Sequence, residues 1–365
     1  MTERSTTPHF DNILPFQNRV SCAIAKHQLS ICRPESITVD DLHGNAWNFE
    51  ILEGDAVYGL TDEFPEGPLD HLGEGDFVRV PYRRIPRVPI RSYQRLIRFS
   101  QSVRDGDDGV VHLWRGQTEL HNLRTRRSEA ELLKFYGTTN ITEPSLLPSA
   151  SRVSSYSNGY MDAWFGLLDM YADERHDCLR KRLRMKLSNR LEKLWIEYRC
   201  SYNFARWAMG VAQHYGLPST GLDITSDIDV ALFFALHDFN VTDSGHTTIN
   251  RVHPDCKPII YLFGIFEGDL TVDEDAGLPH MLTPRAKAQK AHFFHSAWGK
   301  CPNRAAERLL AVLDLYDHAA WEVPELSTNL FPGIAEDPYS SFLMRAKEDY
   351  PTVQCLVPLN RVYYR

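Results

Sequence analysis

The chain has 365 residues, of which 43% are apolar and 24% charged, with a formal net charge of −8. This composition excludes a wholly disordered chain, a collagen and a long coiled coil, and the length amounts to two average domains or one large one. No apolar run reaches the roughly 20 residues of a membrane span, and the polar Met1–Phe10 has no secretory apolar region, so a cytoplasmic protein without a membrane partner is expected. Seven scattered cysteines without a CxxC pair argue for reduced thiols rather than a disulfide framework. His253/Cys256 and His292/His295 come nearest to zinc spacing, but each pair stands alone and no metal is expected.

The first elements are set among unevenly spread charge. Asp40 to Asp76 holds eleven acids and no Lys or Arg, whereas Phe77 to Arg104 holds eight arginines and no acid. Either these stretches face each other or the solvent, or Arg83, Arg84, Arg87, Arg91 and Arg95, with Arg98, form a polyanion-contacting surface that Arg124, Arg126 and Arg127 extend. The first hundred residues read as β-rich: Trp47–Leu52, Ala56–Leu60 and Phe77–Tyr82 are short alternating runs bounded by Gly, Asp and Pro. Pro86 and Pro89 are expected to break regular structure, and Ser92–Val103 predicts a short helix. The turn-like 105–109 marks a boundary between a smaller β-rich region over 1–105 and a second domain over 106–365.

Val110–Trp114 predicts a buried strand, Ser128–Tyr136 a helix and Thr142–Tyr160 a loop. Asp162–Tyr198 is the strongest helical stretch. Its apolar stripe is Leu179, Leu183, Leu187, Leu191 and Leu194/Trp195, and Arg180, Lys181, Arg182 and Arg184 lie on other faces. Phe204–His214 and Ser226–His237 predict two more helices, the second capped by Asp227. Pro258–Phe266 has the continuous apolar pattern of a sheet centre, and Leu309–Leu315 is a strand or a buried helical turn. Strands interleaved with helices indicate an α+β fold, a mixed β-sheet core with flanking helices.

Three segments carry candidate chemistry. In His112-Leu-Trp-Arg-Gly-Gln117, Arg115 stands at a strand end beside Gly116; it either holds a phosphate through its forked guanidinium or pairs with an acid for structure. In 212–225 the polar Gln213, His214, Tyr215, Asp223 and Thr225 sit among apolar residues, as either a structural network or the lining of a pocket. In 284–294, Arg285 and Gln289 share a face if the segment is helical, and otherwise belong to an ordinary turn.

Trp114-Arg-Gly-Gln117, Gln213-His-Tyr-Gly-Leu-Pro218, Leu222-Asp-Ile-Thr225 and Asp229-Val-Ala-Leu-Phe-Phe-Ala235 together resemble the FRG domain. Glu143–Pro148, Arg285–Gln289 with Phe293, and Asn329–Pro332 resemble its intervening and late elements, so the likeness runs over about 110–335. Where the family carries Arg and Trp around its central Leu-Asp, this chain has Thr220 and Ile224. The resemblance implies a relationship to ADP-ribosyltransferases, an ADP-ribosyltransferase-like sheet, and NAD as co-substrate. It gives the catalytic roles to Arg115, Thr225 (or Tyr215) and Gln289, with Asp223 as the source of charge that a glutamine lacks. Arg115, Gly116 and Gln117 would hold phosphate, and His214, Tyr215 and Phe234 would line the nucleotide pocket, with Tyr215 or Phe234 stacking the nicotinamide. Arg115, Tyr215 and Gln289 are therefore expected to meet at one cleft. The implied activity is ADP-ribosyl transfer to RNA, DNA or protein by a bacterial toxin or antiviral effector, with an antitoxin or inhibitor protein as a further partner. The alternatives are an NAD glycohydrolase and a non-catalytic nucleotide-sensing module.

Overall fold

The computed structural model describes residues 38–40, 45–47, 77–80, 83–104, 110–123, 129–130, 139, 142–149, 158–183, 189–215, 221–241, 247–266, 270–272, 278, 280–295, 303–323 and 330–350. In chain order the strands and helices are β1 (Thr38–Asp40), β2 (Asn45–Trp47), β3 (Phe77–Val80), β4 (Arg83–Ile90), α1 (Tyr93–Arg104), β5 (Val110–Gln117), α2 (Asn158–Leu183), α3 (Asn189–Arg199) and α4 (Tyr202–His214). They continue as β6 (Gly221–Thr225), α5 (Ile228–Leu236), β7 (His237–Val241), β8 (Thr247–Arg251), β9 (Ile259–Phe266), β10 (Leu270–Val272), α6 (Pro284–Ala288), β11 (Ala291–His295), β12 (Leu309–Leu315) and α7 (Pro338–Asp349). Helices and mixed sheet make this an α+β protein. No helix among the described residues is long and apolar enough to cross a membrane.

The chain divides into two compact units, each built from three stretches: 1–146, 254–269 and 299–321 in the first, 147–253, 270–298 and 322–365 in the second. This division differs from a single cut at residue 105, because β4, α1 and β5 fall in one unit.

In the first unit the strands run in the order β5-β9-β12-β4-β3. The β12–β4 pair is parallel and the other pairs are antiparallel. Tyr261 to Ile265 of β9 and all of β12 are buried, so both strands are covered on both faces, and Asp314 is the one charged residue of β12. Helix α1 lays Leu96 and Val103 into the core, and Phe99 meets Trp114 edge-on at 6.5 Å. The expectation that Pro86 and Pro89 break regular structure is not met: both lie within β4. Proline's fixed φ suits an extended strand and removes only one N–H donor. Of the early strand expectations, Ala56–Leu60 and most of Trp47–Leu52 lie outside the described residues, as does most of Ser128–Tyr136.

In the second unit β11 lies between β10 and β6, antiparallel to both, and β7 and β8 form a separate hairpin. The predicted helix over 162–198 is two helices, α2 and α3. Their buried side chains are Leu167, Leu168, Tyr171, Ala172 and Trp195, whereas Leu194, placed on the predicted stripe, is exposed. These pack with Trp207 and Val211 of α4 and Phe342 of α7. Side-chain caps start four of the helices: Ser92 accepts from Arg95 N–H, Ser201 from Phe204 N–H, Asp227 from Asp229 N–H, and Asp337 from Tyr339 and Ser340 N–H.

Candidate functional site

The central constellation of the second unit begins at the C-terminus of α4, where His214 and Tyr215 are buried. Gln289 follows α6 and is also buried. Its amide nitrogen donates to the Leu330 carbonyl at 3.1 Å, which turns its oxygen toward His214 Nδ1 at 3.3 Å. In that orientation the amide oxygen accepts from a protonated Nδ1. The other nitrogen, Nε2, lies 3.7 Å from Oδ1 of Asp223. Asp223 stands mid-strand on β6, between the buried Leu222 and Ile224. Its Oδ1 is buried, yet the side chain keeps 30% of its surface exposed. The result is a carboxylate with one side toward solvent and one toward a histidine that an amide holds in place.

Thr225 joins β6 to this array. Its hydroxyl donates to the Gln289 carbonyl at 2.8 Å, has the Lys290 carbonyl within 3.2 Å, and accepts from Asp227 N–H at 3.0 Å. Lys290, at φ 43°, turns the chain into β11, and its Nζ donates to Asp227 at 2.7 Å. Burial opposes ionisation of Asp227, but Lys290 and the backbone N–H groups of Asp229 and Val230 together hold its pKa below the usual carboxylate value.

Beneath lies a second layer. Tyr215 donates to Asp337 at 2.7 Å, and its ring sits under the Arg285 guanidinium (4.5 Å to the centroid) and edge-on to Tyr339 (4.7 Å). Arg285 is buried, donates to the His214 carbonyl and Ser340 Oγ, and also approaches the Phe331 ring. Burial lowers its pKa, against the pull of Tyr215 and Asp337. Burial first, and then the Asp337 carboxylate, raises the Tyr215 phenol well above its ordinary value. The expected stacking role therefore fits Tyr215 poorly, because a cation and a second ring already cover it. Phe234 is only partly buried; it stacks on Phe239 at 5.5 Å. Asp337, Ser340 and Lys290 were absent from the sequence-derived candidates. The dipeptide Asp337-Pro338, a cap followed by a first-turn proline, was the available signal for α7.

The first unit holds its own polar row. Arg115 on β5 is opposite Tyr261, Tyr261 is opposite Val312, and Val312 is opposite Arg87. Such a row shares one face of the sheet. Arg87, expected at a polyanion surface, instead grips Asp314 with Nε at 2.9 Å and Nη2 at 2.5 Å. A bidentate fork of this kind is committed to its carboxylate. Burial raises the Tyr261 phenol, and Arg115 and then Arg87 pull it back down. Gly116 and Gln117 follow Arg115 on the same strand. Arg91, Arg95 and Arg98 are exposed. Arg83 and Arg84 belong to β4, with side chains outside the described ones, and Thr220, Arg124, Arg126 and Arg127 lie outside the described residues. Among the described residues, no three His, Cys, Asp or Glu side chains converge to hold a metal ion.

Residues 132–244 match a family model, and its family is the FRG domain. This part of the chain carries the FRG match. No curated protein and no solved structure matches the chain. The FRG segment contains His214, Tyr215, Asp223, Thr225 and Phe234, whereas Arg115, Gln289 and Asp337 lie outside it. The buried partners of its central histidine and tyrosine thus come from beyond the matched residues.

Proposed function

We propose that the chain transfers ADP-ribose from NAD to a macromolecule, with Asp223 as the charged group at the reacting centre. The observation that carries this reading is the half-open Asp223 carboxylate beside a buried, oriented His214. Breaking the nicotinamide–ribose bond sends the electron pair to the nicotinamide nitrogen and leaves oxocarbenium character on the ribose. A fixed carboxylate stabilises that charge and accepts the proton that the acceptor loses as it bonds to the ribose carbon. Gln289 and Thr225 act here as positioning residues, and Phe234 offers a ring for the nicotinamide. An ADP-ribosyltransferase-like fold, a cytoplasmic toxin or antiviral role, and an inhibitor partner belong to the same reading, on the strength of the FRG resemblance. RNA, DNA and protein are the acceptor classes.

A second reading, a non-catalytic nucleotide-binding module, is favoured by one observation: Gln289, Tyr215 and Arg285 direct polar atoms to neighbouring parts of the fold. One experiment separates the possibilities. Purified protein is incubated with adenylate-labelled NAD and cell extract, and the polymer label and free nicotinamide are measured. Transfer predicts label on a polymer, and Asp223→Asn is expected to reduce it by about 10²-fold or more without unfolding the protein. Nicotinamide release without label identifies a glycohydrolase. NAD binding by calorimetry with neither product identifies the module and sinks the transferase.

A further inference from the structure

We infer that the edge of the first unit where β4 and β12 end is a landing surface for single-stranded nucleic acid. The two strands are parallel, so their C-terminal ends emerge together, and Tyr316 N–H donates to the Ile90 carbonyl at 2.9 Å to fasten them. The next residues of each strand are therefore neighbours. Arg91 places its guanidinium over the Tyr316 ring, 5.4 Å from the centroid. Tyr316 is a large aromatic left 46% exposed. Ser92 then starts α1, whose outer face carries Arg95 and Arg98 one turn apart, both exposed, while Leu96 and Ser100 face inward.

Within the two segments that meet here, 83–104 and 309–317, seven arginines stand against two acids. Asp314 is taken by Arg87 inside the sheet. Asp317 lies 4.0 Å from Arg91, but both side chains are more than 60% exposed, so the pair is weak and easily exchanged. No acid occupies the first turn of α1. Three exposed guanidiniums complement phosphates, and an exposed ring with an arginine across it is a platform for a base. A base can stack there only if its face is free, which selects a single strand over a duplex. An acidic peptide would use the arginines and leave the ring idle.

The inference names the acceptor class of the proposed transferase, and so rests on that reading for its purpose, but the binding itself requires no chemistry. The test is fluorescence anisotropy of the full chain with a labelled 20-nucleotide RNA across a salt series. Replacing Arg91, Arg95 and Arg98 together by Gln is expected to weaken binding about 10-fold or more at low salt. It should also reduce the slope of log affinity against log salt by about 2, as three lost phosphate contacts require. Tyr316→Ala is expected to cost about 5- to 100-fold and Tyr316→Phe to restore it, since the ring does the stacking. Equal affinity for a duplex of the same length, an unchanged triple variant, or displacement by a poly-glutamate peptide at lower concentration than by unlabelled RNA would each overturn the inference. Nicotinamide release from NAD should be unaffected by these variants, whereas Asp223→Asn should abolish release and leave RNA binding intact. Failure of the surface and failure of the chemistry are thereby told apart.

Discussion

Gln289 uses both ends of a buried amide, one toward His214 and one toward the Leu330 carbonyl. Gln289→Leu keeps the bulk but strands both partners. Each stranded buried group costs about 1–3 kcal/mol, so a loss of about 2–6 kcal/mol in urea unfolding is expected. A loss under about 1 kcal/mol would mean that water reaches the amide and that the buried array is not as described. The sequence made His214 legible as a polar residue in apolar company, and Gln289 through its four-residue spacing from Arg285 and the family resemblance. It did not give their geometry. Tyr215 finds Asp337 across 122 positions of sequence, and Gln289 finds Leu330 across 41. Local pattern cannot report such a pairing, so five polar groups in fourteen residues tilt a sequence reading toward a pocket and do not reveal the network. The structure favours a buried network with one carboxylate, Asp223, at its open end.

At the scale of elements, β6 is fitted to β11 by the absence of a side chain. A Cβ built on Gly221 would stand 2.3 Å from Phe293 Cζ and 2.6 Å from the Phe294 carbonyl oxygen. The ring could swing away, but the backbone oxygen could not without opening the ladder. Gly221→Ala is therefore expected to destabilise the second unit by about 1–3 kcal/mol in thermal unfolding, with Asp223 and Thr225 losing register. Elements with strong periodicity were readable in advance. Val110–Trp114, Pro258–Phe266, Phe204–His214 and the Asp227-capped helix each correspond to an observed element within a few residues. Others had no punctuation to betray them. Helix α5 passes into β7 at His237 without a Gly or Pro, so the strand that follows the helix goes unread. Among the described side chains of α2, Leu167 and Leu168 are buried well before Leu179, where the predicted stripe starts.

At the scale of the molecule, each unit is assembled from three separated stretches of chain. In the sequence a boundary falls near residue 105, where the turn-like 105–109 marks a change of region. Strand pairing ignores that change, because β4 lies before it and pairs with β12 after it. A chain beginning at residue 106 would lack Arg87 and leave Asp314 without its fork. It would also leave the edge of β12 open. Such a truncation is expected to be largely insoluble, or to lack near-ultraviolet dichroism if recovered. A soluble product with native-like dichroism would show that β3, β4 and α1 are dispensable to the first unit.

The position of β12 has a consequence for biosynthesis. It is the last of the five strands of its sheet to leave the ribosome, yet it occupies a place between β9 and β4. Until Leu315 has emerged, both neighbours present bare hydrogen-bonding edges and greasy faces to solvent. Completion of this sheet is a late insertion rather than a sequential addition, and the yield of folded protein depends on how well the waiting strands are shielded in the interval.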